Sequence, residues 1–200
     1  PATPVAMMLE IAAGIRHATL TVMPDSAHLL AVQRPAATAA LAQNFDDRWA
    51  MLGTFTVTTP TGETTLYALA DRVDGDAFID ITEPGPFSVL SLTGAAPGPE
   101  GQPVAPYISV SIGPFTNTPD GTAGVEWRDG GQAYYANVDS GTKASLEGFE
   151  LTDDGQLSFS VAASEMRALT TDANFDYVPV PDVAPIALDA AFSGRLPADG

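Results

Sequence analysis

WAMLGTFTVTTPTGETTLYALA, running from Trp49 to Ala70, decides the fold class. Phe55 and Val57 alternate with Thr54, Thr56 and Thr58, and a second two-residue period begins at Glu63. Period-two alternation is the signature of a strand with one buried face, because successive side chains point to opposite sides. Thr59-Pro60-Thr61-Gly62 separates the two runs, with Pro and Gly supplying the dihedrals of a tight turn. The stretch therefore predicts a β-hairpin, Trp49–Thr58 against Glu63–Ala70.

Outward from this hairpin the pattern continues. Strands are expected at Ala77–Thr82, Phe87–Leu92, Tyr107–Ile112, Ala123–Trp127, Ala133–Val138, Ala144–Leu151, Gln156–Ala162, Phe175–Val180 and Ile186–Leu196. Leu157, Phe159 and Val161 alternate cleanly, whereas Leu146, Phe149 and Leu151 do so only with a bulge near Gly148. Pro179 and Pro181 remove ladder donors on one side, which marks Phe175–Val180 as an edge. Ala163–Leu169 reads as a short helix opened by Ser164.

The first third is mixed: a loose strand at Ile15–Val22, a capped helix at Ala27–Val32, and an Ala-rich helical segment at Ala36–Gln43 that needs packing to be stable. About ten strands between Gly, Pro and Asp turns predict a mainly β chain. The fold expected is an antiparallel β-sandwich-like domain with one or two short helices near the N-terminal third. Its 200 residues are expected to form one domain. A minor division is open near residues 94–106, where Pro and Gly crowd, and residues 197–200 read as a tail or linker.

The charge is the loudest compositional signal. Twenty-five Asp and Glu face eight Lys and Arg, a formal net charge of -17. Such a surface repels phosphate backbones, and no basic patch interleaved with aromatics occurs, so nucleic acid is not an expected partner. No run reaches the roughly 18 apolar residues of a membrane helix. Cysteine is absent, which removes disulfides and thiolate chemistry. An extracytoplasmic setting is expected: periplasm, cell surface or secreted.

Motifs for chemistry are sparse. Asp71, Asp74, Asp76 and Asp80 surround Gly75 as hard oxygen ligands would for calcium, although their spacing departs from the EF-hand loop. The competing reading is a tight Asp74-Gly75 turn. His17 and His28 are the only histidines and stand in no metal-hydrolase spacing. Neither a nucleophile elbow nor a phosphate-binding glycine loop is present. Trp127, Arg128, Tyr134 and Tyr135 bracket a Gly130-Gly131 turn and are the candidate recognition surface for a protein or carbohydrate. Because adjacent strand residues face opposite ways, one of Tyr134 and Tyr135 must look away from the core. The expected role is a non-catalytic binding or structural domain, without cofactor unless the Asp loop takes calcium. The alternatives are a small hydrolase using carboxylates or His17/His28, and a β-barrel carrier of a small ligand.

Overall fold

The computed structural model describes residues 45–197 other than 84, 117 and 174. Eleven strands follow one another: β1 Trp49–Thr59, β2 Gly62–Asp71, β3 Ile79–Thr82, β4 Ser88–Pro97, β5 Pro103–Phe115, β6 Thr122–Asp129, β7 Gln132–Ala136, β8 Ala144–Leu151, β9 Gln156–Thr171, β10 Tyr177–Pro179 and β11 Ile186–Arg195. The opening hairpin is as the alternation predicts. Thr59 pairs with Gly62 across Pro60-Thr61, and Phe55 lies opposite Leu66.

The sandwich expectation is corrected. The strands form one sheet that closes on itself, in the order β1-β2-β4-β5-β6, then β7 and β8, then β9-β11 and back to β1. This is an eight-position barrel with three extra strands. β7 and β8 occupy one position in tandem, since β6 pairs with β7 at Val125↔Ala136 and with β8 at Ala123↔Ala144. β3 wedges between the diverging ends of β2 and β4, and β10 hangs on the end of β9. A sandwich would leave β1 and β11 as edges. Here they pair from Gly53↔Gly194 to Thr58↔Asp189, which abolishes that edge. The Pro/Gly-rich stretch after residue 93 forms facing ends of β4 and β5, down to Pro97↔Pro103.

No helix occurs among the described residues. Ala163–Leu169 lies within β9, not in a helix. The expected strand at Ile15–Val22 and helices at Ala27–Val32 and Ala36–Gln43 fall outside the described residues, as does the 198–200 tail.

The barrel interior is filled. Phe55, Phe159 and Phe192 pack as a triad with ring centroids 4.7–6.3 Å apart, surrounded by Leu66, Leu90, Ile108, Ile112 and Trp127. Full burial stabilises by about 1.5–3 kcal/mol for each such side chain. Gly94 measures the tightness. A Cβ there would stand 2.6 Å from Phe55 Cδ2 and 3.0 Å from Ile108 Cγ2, so not even a methyl group fits. A smaller apolar group lies on the outer wall of β2, where Phe45 meets Tyr67 edge-on at 5.5 Å and Trp49 meets Phe78 at 5.8 Å.

Candidate functional site

The wall of the barrel divides the residues expected to form a recognition surface. Trp127 points inward and is 4% exposed, a core residue. Tyr134, its cross-strand partner, packs partly buried against the same core. Arg128 and Tyr135 lie on the outer face, where Tyr135 is nevertheless buried at 7% exposure. There Arg128 Nε forms an ion pair with Glu126, and Tyr135 meets Tyr177 of β10 with ring centroids 5.8 Å apart. Burial, with the nearby Glu126 charge, pushes the Tyr135 hydroxyl above its ordinary pKa.

The Asp71–Asp80 segment does not gather ligands for calcium. Asp71, 5% exposed, turns its carboxylate to Arg48, whose Nε donates to Oδ2 at 2.7 Å. Arg48 also pairs with Asp74. The other Asp71 oxygen accepts from Val73 N at 2.8 Å and Asp74 N at 3.3 Å, closing the turn from within. Arg48 and these amides hold the Asp71 carboxyl down to a pKa of about 2. A guanidinium thus supplies the positive charge. Among the described residues no group of three or more His, Asp or Glu side chains converges as a metal site. His17 and His28 lie outside the described residues.

A concavity lies elsewhere, on the outer wall of β4, β5 and β6, with a volume of about 450 Å³. Its floor consists of two cross-strand rows, Ser91–Ser111–Gly124 and Thr93–Ser109–Glu126. Every side chain except Glu126 is short, and Gly124 has none, which keeps the floor low. Thr93 Oγ1 and Ser109 Oγ are 3.2 Å apart.

The side wall is the 137–143 loop, at the break between β7 and β8. Asn137, Val138 and Lys143 line the groove from it. The loop is held from inside. Ser140, 4% exposed, accepts from Asn137 N at 2.9 Å, and its Oγ lies 2.8 Å from Thr142 Oγ1. Asn137 Oδ1 accepts from Asp139 N and Ser140 N, and Arg167 of β9 donates to the Ser140 carbonyl at 3.2 Å. Val138 is left 82% exposed at the rim. A smaller concavity, about 270 Å³, lies on the outer wall of β1, β11, β9 and β8 beside Thr56, Ser160, Glu147 and Asp189.

Ser91, Ser109 and Ser111 are not among the candidate site residues that the sequence singled out. Their signal was the alternation itself: small polar residues at every second position of adjacent strands make a polar outer shelf. Among the described residues no helix is long and apolar enough to cross a membrane. No family model, no curated protein and no solved structure matches this chain.

Proposed function

We propose that this chain is a non-catalytic binding barrel that holds a small uncharged polyhydroxyl ligand, a sugar, in the groove over β4, β5 and β6. The carrier alternative had the closed wall right, but a ligand inside has no room beside Gly94 and the phenylalanine triad. The observation that carries the proposal is the groove floor, which Ser91, Thr93, Ser109 and Ser111 line beside Asn137. Hydroxyl groups both donate and accept, which matches a polyol. The volume lies within the range of about 300–1,000 Å³ typical of small-molecule sites. A surface of net charge -17 disfavours polyanions. The groove is open and without aromatic rings in its lining, so affinity near 1 mM is expected, about -4 kcal/mol.

Gly124 allows a clean test. A Cβ there would meet its nearest neighbours at 3.6–3.9 Å, ordinary contact, so Gly124→Ala fits and Gly124→Trp fills the groove without entering the core. Titration with glucose and maltose, followed by amide NMR, is expected to shift Ser91, Ser109, Ser111, Gly124 and Asn137. Gly124→Ala keeps the response and Gly124→Trp loses it. Shifts elsewhere, or none with either sugar, end the reading.

A further inference from the structure

A second feature lies away from the groove, on the β9–β10 hairpin. Phe175 is 85% exposed and has φ of 66°, the left-handed region that bulky residues rarely adopt. The turn is fixed by its own hydrogen bonds. Phe175 N donates to Asp172 O at 3.1 Å, Asp176 N to Asp172 Oδ1 at 3.0 Å, and Asp172 N to Asp176 O at 3.0 Å. Tyr177, two residues on, packs its ring against Tyr135 of the barrel wall at a tilt of 54°, which braces the hairpin. Glycine would take this backbone conformation freely and expose no ring. The chain instead spends strain and exposed apolar area on a phenylalanine that buries nothing in the barrel, and such outliers concentrate where function needs them.

We propose that Phe175 is the anchor of a protein–protein contact, inserting into an apolar socket rimmed by Lys or Arg on a different protein. The rim follows from charge complementarity, since exposed Asp176 directly follows Phe175 and Asp172 stands three positions before it. An anionic membrane is disfavoured by the same two acids. A second copy is disfavoured by its own charge of -17. Strand addition to β10 is blocked by Pro179 and by Pro181 just beyond it, so recognition falls to the side chain. Exposed aromatics seated in a partner's pocket are the side chains that dominate interface energies.

The test has two arms, both on the full chain. Phe175→Gly relieves the backbone without removing a core contact, so its melting temperature is expected to rise by about 2–4 °C. In the second arm, the photoreactive p-benzoylphenylalanine replaces Phe175 in cells of the source organism, with Phe87 as control position. One heterologous adduct is expected at position 175 and none at 87. The cross-linked peptide should carry Lys or Arg beside apolar residues, and Asp176→Lys should reduce the adduct at least tenfold. A fall in melting temperature for Phe175→Gly overturns the proposal. So does the absence of an adduct, or an adduct with lipid, with a second copy, or with a protein site lacking basic residues. So does an adduct that Asp176→Lys leaves intact.

Discussion

Asp71 is where the sequence invited one chemistry and the fold uses another. Four aspartates around a glycine suggested a cation site. The decisive partner, Arg48, lies 23 positions upstream, and no local spacing reveals it. Its guanidinium lowers the Asp71 carboxyl to about 2, below the unfolded value of about 3.9. A depressed carboxylate pKa contributes stability above the unfolded value and loses it as pH falls toward the folded one. The contribution is therefore expected in full at pH 5 and to fade between about pH 4 and pH 2. Asp71→Asn should melt several degrees lower at pH 7 and fall less than the parent across that acid window. Parallel thermal melts from pH 2 to pH 7 check this; identical slopes would show that Arg48 does not hold the proton off Asp71.

Among the elements, those specified locally were legible. The Thr59–Gly62 hairpin, the β8 bulge around Gly148 and the proline-marked edge at β10 were all readable from turn chemistry and alternation. β9 was misread for an identifiable reason. A register shift opposite Ile186 and Leu188 sets buried Ala163 and Met166 three apart, and with Ala168 and Leu169 also buried the two-residue period is lost and imitates a helix. Pairing with β7 and β11 overrides the propensity. Closure was not legible at all, because sandwich and barrel strands share the same period. What permits closure is small residues at the seam. Gly53 faces Gly194, and the Phe192 ring covers both, with its Cζ 2.6 Å from the position a Cβ would take on either. At Gly53 the remaining close atoms are backbone, Gly194 Cα at 2.7 Å and Ser193 O at 2.8 Å, so a rotamer change alone cannot make room. Gly53→Ala should cost about 1–3 kcal/mol by overpacking, measured by urea unfolding. An unchanged midpoint would mean that the seam has slack.

At the scale of the whole molecule, most acids among the described residues lie outside the strands, and none of them belongs to the core cluster. Self-repulsion among exposed carboxylates works against the compact state and weakens as salt shortens the Debye length, from about 10 Å at 0.1 M to about 3 Å at 1 M. Melting temperature should therefore rise by several degrees between 0.1 and 1 M sodium chloride. A flat or falling curve would mean that the turn carboxylates are already compensated, as Asp71 is by Arg48. The site was less legible than the fold, because a groove on an outer wall depends on which strands become neighbours. Ser111 is unremarkable until Ser91 and Gly124 stand beside it.

The meeting of β1 with β11 also dictates the order of events when the chain folds. The first described strand finds one of its two neighbours only in the last. Local hairpins such as β1–β2 and β4–β5 can form early, but the ring cannot shut until residues 186–195 have arrived. Loop-closure entropy has to be met before that pairing returns anything, and folds dominated by such distant contacts are slow. Until the clasp fastens, Thr54, Thr56 and Thr58 stand along an open strand edge, and the segment that ends the barrel doubles as the guard against aggregation at its beginning.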